Sequence, residues 1–167
     1  MAETEVKHRK ILVAVCEGEE SMYALSWCLN NFISRDSQDA LILLYAKPPR
    51  VVYSALDGIG NLFSGDVIAA MERYSNEVAE GVIGKAKKLC QVVHRDIKVE
   101  TKIEIGDPRD AICQMVESLG VDVLVMGSHG YGPIKRAFLG SVSNHCVQNV
   151  RCPVLIVKRP ISTNGDS

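Results

Sequence analysis

Four short apolar runs punctuate this chain: Ile11–Val15, Ala40–Ala46, Val123–Met126 and Val154–Val157. A strand with water on one face alternates apolar and polar residues, so a continuous apolar run reads as a strand covered on both faces. A fifth run, Val99–Ile105, does alternate, and its second face is expected to be less buried. Helical spacing fills the intervals. Residues 20–33 set Met22, Leu25, Cys28 or Leu29, and Phe32 on one stripe. Residues 66–93 do the same with Val67, Met71, Tyr74, Val78, Val82, Ala86, Leu89 and Val93. Asp107 is placed as an N-cap with Pro108 at the first helical position, followed by the face Ala111, Ile112, Met115, Val116 and Leu119, and Gly120 as the stop. A last helix starts at Ser141 and ends before Cys152-Pro153. Strands alternating with helices predict an α/β fold: a doubly wound, five-stranded parallel sheet with helices on both faces and right-handed crossovers.

The chain of 167 residues is expected to form one domain over 10–159, with flexible ends at 1–9 and 160–167. A net charge of −1 leaves no basic stripe for a nucleic-acid polymer and no polybasic cluster for a membrane surface. The polar N-terminus and the short run behind it read as neither a signal nor a membrane segment. The expected location is the cytosol, with the nucleus also open to it. Six cysteines contain no C-x-x-C pair, so zinc-ribbon and thioredoxin-like motifs are unsupported, and most are read as small core residues.

One segment carries chemistry. The run ending at Met126 opens into Gly127-Ser128-His129-Gly130, and nine residues later comes Gly140-Ser141-Val142-Ser143. Glycines let backbone amides approach an anion, and a Gly-Ser step at a helix start supplies unpaired N–H groups and the positive end of the macrodipole. Doubly wound sheets bind ligands at the carboxyl ends of their strands, where strand order switches. The end of the first strand, Ala14-Val15-Cys16, points to the same place. The pattern predicts a nucleotide site.

Gly127-x-x-Gly130, nine residues, then Gly140-Ser141 resembles the ATP-binding signature of universal stress proteins. The likeness extends over about residues 8–159, including Val121–Met126, Cys152–Lys158, Glu19-Glu20-Ser21 with Ala24-Leu25, Leu43-Leu44 and Gly106-Asp107-Pro108. An insertion at 47–65 resembles the plant branch. The resemblance implies a Rossmann-like sheet of order 3-2-1-4-5 and binding of ATP or AMP, with Mg²⁺ as an additional expectation. Adenine would be read by backbone groups around Ala46. Amides of Gly127, Ser128, His129 and Gly130 would approach the ribose and phosphates, with Gly140, Ser141, Val142 and Ser143 cradling the phosphates through amides and hydroxyls. Lys135 and Arg136 either add charge or lie in solvated surface. The implied role is a dimeric stress-response switch that biases an unknown downstream protein.

One position departs from the family. Where it commonly has Asp at the end of the first strand, this chain has Cys16, a poor acceptor. Losing a charge-assisted hydrogen bond costs roughly 1.5–3 kcal/mol. Glu17 or Glu19 could partly substitute. A nucleotide-independent, chaperone-like interaction protein therefore stays open, as does slow ATP hydrolysis or phosphoryl transfer. His129 has no placed partner for acid–base work, and no catalytic or metal-ligating set is assigned. Cys16 is read either as an oxidant sensor or as an inert thiol, and His145-Cys146 as packing rather than a ligand pair. The 47–65 connection reads as a flap on the sheet edge, a lid or a partner surface. Pro153 suits an edge strand, and an exposed apolar edge tends to find a partner. Family dimers join through this strand, which implies a homodimer pairing Val154, Leu155, Ile156 and Val157 antiparallel.

Overall fold

The computed structural model describes residues 8–49, 65–128 and 139–160. Its strands are β1 (Lys10–Ala14), β2 (Ala40–Lys47), β3 (Lys98–Ile105), β4 (Val123–Gly127) and β5 (Val154–Val157). Its helices are α1 (Glu19–Trp27), α2 (Gly65–Val93), α3 (Pro108–Leu119) and α4 (Ser141–Asn149). All four strand pairings are parallel, in the order β3-β2-β1-β4-β5. The expected topology is therefore present, with element ends displaced by about one residue.

Period-2 alternation divides the buried strand residues between two cores. Ile11, Val13, Leu41, Leu43, Tyr45 and Val125 face one way and pack with Leu25, Val82, Ile83 and Ala86 of α1 and α2. Leu12, Ile42, Leu44, Leu124 and Met126 face the other way and pack with Ile112 and Val116 of α3 and Cys146 of α4. The three central strands are buried on both sides, which is what their unbroken apolar sequence requires. β3 lies at one edge and β5 at the other.

Two expectations need correction. The first stripe does not continue as one α-helix to residue 33: after Trp27 the backbone widens into a π turn over Cys28–Phe32. On α2, Val67, Met71 and Tyr74 are exposed rather than core, at 42%, 52% and 70%. The buried side chains of that helix are Ala79, Val82, Ile83, Ala86 and Cys90, all in its second half. Helical periodicity reports an apolar face, and the sheet reaches only part of a 29-residue helix.

The cap of α3 forms as expected. Asp107 accepts from the Arg109 N–H at 2.9 Å, and Gly120 closes the helix with φ 61°. The Arg109 guanidinium beside Asp107, together with that amide, holds the carboxyl down to about 2. A second ion pair anchors the start of β1. Arg9 grips Asp39 (2.6 and 3.0 Å) while stacking 4.9 Å from the Phe32 ring centre. Of the cysteines, Cys28, Cys90 and Cys146 are buried and half-buried Cys113 and Cys152 pack against the second core, so most are core residues as expected; Cys16 is half-buried.

Candidate functional site

Strand order reverses between β1, which runs out to β2 and β3, and β4, which runs out to β5. A cleft of about 190 Å³ opens there, at the carboxyl ends of the strands. Ala14, Val15, Cys16 and Glu17 line it from the exit of β1; Leu44, Tyr45, Ala46 and Pro48 from β2; Met126 and Gly127 from β4. Glu20 and Ser21 of α1, Pro108 and Ile112 of α3, and Val142 of α4 complete the wall. Of the residues anticipated from sequence, Ala14, Val15, Cys16, Ala46, Met126, Gly127 and Val142 converge on this cleft. His129 and Gly130, with Lys135 and Arg136, lie outside the described residues, as does nearly all of the 47–65 connection.

The turn from β1 into α1 is organised by Ser21. Its hydroxyl accepts from the Cys16 N–H at 3.0 Å and faces the carbonyls of Cys16 (3.1 Å) and Gly18 (3.0 Å). That one buried side chain satisfies a turn that has no other cap, since Gly18 offers no side chain at the N-cap of α1. Glu17 is tied across the cleft mouth, accepting from the Tyr45 hydroxyl at 2.6 Å. Burial, reinforced by that carboxylate, pushes the Tyr45 phenol above its ordinary range. Glu19, the other expected stand-in for the missing Asp, turns away to pair with Arg159 at 2.6 Å. Glu17 and Glu20 are thus the carboxylates that line the cleft.

Gly127 is required for a reason the sequence did not reveal. A Cβ there would sit 2.6 Å from the Glu20 carbonyl oxygen and 3.1 Å from the Ser21 nitrogen. The glycine lets the first turn of α1 lie directly against the end of β4. Ser128, expected to present its amide to a phosphate, instead donates that N–H to the Val157 carbonyl at 3.1 Å and extends the sheet. The Ser143 hydroxyl also faces inward: the residue is fully buried and donates to the Gly127 carbonyl at 3.3 Å.

The start of α4 remains suited to an anion. Its first intrahelical bond runs from the Asn144 N–H to the Gly140 carbonyl, so the amides of Ser141, Val142 and Ser143 precede the ladder. Gly140 caps with no side chain, and the first turn holds no acidic residue. The contrast with the other helices is electrostatic. Glu19 and Glu20 open α1, Asp66 opens α2, and Asp107 and Asp110 open α3. Negative charge is already supplied at those three ends and is lacking at α4. Among the described residues, no three His, Cys, Asp or Glu side chains cluster to hold a metal ion, and no helix is long and apolar enough to cross a membrane.

Residues 7–158 match the Universal stress protein family profile. The chain belongs to the universal stress protein family. Among its relatives, the Arabidopsis thaliana universal stress protein PHOS32 is 32% identical over 94% of this chain and 67% of its own length. A universal stress protein A-like protein of the same plant is 30% identical over 81% of this chain and 77% of that relative. The solved structure of Methanocaldococcus jannaschii MJ0577 superposes with a TM-score of 0.68 at 28% identity, covering 94% of this chain and all of that one. An Arabidopsis universal stress protein family protein with AMP bound shares the fold at TM-score 0.67 and 24% identity, over 95% of this chain and 96% of its own. These universal stress protein folds are the architecture described above.

Proposed function

We propose that the cleft binds an adenine nucleotide, AMP or ATP, and that the occupied protein works as a homodimeric switch for an unidentified downstream protein. One observation carries this reading: the strand-order switch point and the acid-free N-terminus of α4 lie on one cleft. Base and ribose fit between the ends of β1 and β2, with backbone groups around Ala46 reading the adenine. The phosphates fit over Gly140, Ser141 and Val142. A volume of about 190 Å³ is below the roughly 300–1,000 Å³ of typical ligand sites, so the phosphate tail extends out of the cleft. Family members with AMP, cAMP and dAMP bound share this fold.

The departure at Cys16 is offset by Glu17. Tyr45 holds one of its oxygens, so the carboxylate stands at a fixed place on the cleft mouth, able to accept from a ribose hydroxyl. Hard carboxylate oxygens also suit Mg²⁺, which is ordinarily held by one or two carboxylates together with substrate phosphates. Glu17 and Glu20 are the residues that would take that part, and the ion would neutralise phosphate charge beside them. The dimer would form along β5, where Val154, Leu155 and Ile156 are half-buried in the single chain and β4 occupies only one edge.

The test is an acid extract of purified protein run on HPLC, followed by thermal-shift titration with ATP, ADP, AMP and GTP, with and without Mg²⁺. Adenine nucleotides should stabilise the wild type, and Gly140→Leu should abolish the shift. Gly140 has φ −59°, which leucine adopts freely, so that substitution blocks the anion approach without backbone strain. A wild type with neither co-purified nor added adenine nucleotide overturns the reading.

A further inference from the structure

The cysteines of the two cores are held differently. Cys28 and Cys90 are both fully enclosed on the α1–α2 side, and desolvation pushes their thiols up to about 12 and about 11. On the other side, half-buried Cys113 of α3 faces fully buried Cys146 of α4, sulfur to sulfur at 3.9 Å. The two stand 33 residues apart in sequence, and the Cys113 thiol donates to the Cys146 sulfur. We propose that Cys113 and Cys146 form a peroxide-responsive dithiol that closes to an intrachain disulfide and cross-links α3 to α4.

The geometry needs little change. A disulfide bond is about 2.05 Å, so the sulfurs must approach by about 1.9 Å. The asymmetry in exposure sets the order of events. Peroxide reaches Cys113, whose sulfur attacks the O–O bond; one oxygen becomes the sulfenic hydroxyl and the other leaves as water. The Cys146 sulfur then attacks the Cys113 sulfur, the S–O bond breaks, and the departing hydroxyl leaves as a second water with the Cys146 proton. Two thiols lose two electrons, and one peroxide becomes two waters. Cys146 is fully buried while Cys113 is half-buried, so peroxide meets Cys113 first and Cys146 is left as the resolving partner.

The cross-link bears on the cleft. Ile112 precedes Cys113, and Val142 stands one helical turn before Cys146; both line the cleft wall. Drawing the sulfurs together narrows the space between those two side chains. This consequence rests on the nucleotide reading; the disulfide itself does not.

The experiment treats the fully reduced protein with hydrogen peroxide, alkylates it and digests it with trypsin without reductant. Cys113 falls in the peptide of residues 110–135 and Cys146 in that of 137–151. The expected product is these two peptides joined, lighter by two hydrogens, reversed by dithiothreitol and absent from Cys113→Ser and Cys146→Ala. Because Cys146 is wholly enclosed while Cys113 is half-buried at the margin of the core, Cys113→Ser is the milder control. Peptides joined through other cysteines, or Cys113 oxidised to the sulfinic acid with Cys146 still alkylated, overturn the proposal. For the cleft, AMP affinity of the oxidised wild type should be about fivefold weaker or more, the low end of usual site-to-site coupling. It should not respond to peroxide in Cys113→Ser. Equal affinity in both redox states overturns the coupling. A reduced protein that binds no AMP overturns the nucleotide reading and the coupling, while the peptide map still decides the disulfide.

Discussion

The Tyr45 hydroxyl donates to Glu17 Oε1 across 2.6 Å, joining the end of β2 to the loop that leaves β1. The phenol is almost fully buried and the carboxylate is exposed, so a core residue fixes the position of a surface charge. Tyr45→Phe should cost about 1 kcal/mol in urea denaturation, the usual net value of a hydrogen bond. The same change should weaken AMP binding by about tenfold, as a released Glu17 no longer meets the ribose in place. Binding of 2′-deoxy-AMP should fall less. Unchanged AMP affinity would remove Glu17 from the site.

Gly127→Ala tests the approach of α1 to β4. The added methyl would lie 2.6 Å from the backbone oxygen of Glu20, a contact that only a shift of strand or helix relieves. Overpacking of this kind costs about 1–3 kcal/mol. Urea denaturation should show a lower midpoint with an unchanged slope. A variant as stable as the wild type would mean that α1 slides at no cost.

Three enclosed thiols make stability depend on alkaline pH. Desolvation raises Cys28 to about 12, Cys90 to about 11 and Cys146 to about 12, from an ordinary value of 9.0. A raised folded-state pKa contributes stability that is fully present below the unfolded value and is lost as pH rises towards the folded one. Under reducing conditions, stability should be level up to about pH 8 and then fall, by about 1 kcal/mol per thiol at pH 10. Cys28→Ala should flatten that decline by about a third. Stability that holds level to pH 11 is the contrary result.

Leu155→Lys tests the pairing along β5. Sedimentation equilibrium should give twice 18.3 kDa for the wild type and a single chain for the variant. A lysine on an edge strand blocks edge-to-edge pairing, and its methylene stem covers the core surface that half-buried Leu155 covers while the ammonium reaches water. A monomeric wild type would refute the dimer.

Much of this molecule was legible because burial leaves a signature in sequence. The unbroken apolar runs of β1, β2 and β4 implied a parallel sheet covered on both sides, Asp107-Pro108 marked the start of α3, and the glycine-rich exit of β4 located the cleft. Periodicity was less informative for α2, whose apolar stripe runs past the end of the sheet that could cover it.

What sequence alone determined was the order of elements, a parallel sheet covered on both faces and the end of the sheet where the cleft opens, since these follow from local pattern and chain connectivity, while the strand order came from the family resemblance. Tertiary structure decided which atoms serve which purpose. It gave Gly127 to the approach of α1, the Ser128 amide to β5, the Ser143 hydroxyl to Gly127, Glu17 to Tyr45 and Cys146 to Cys113. Each of these is a contact between residues distant in the chain, and a residue's type fixes what it can bond with but not which partner the packed chain brings within reach.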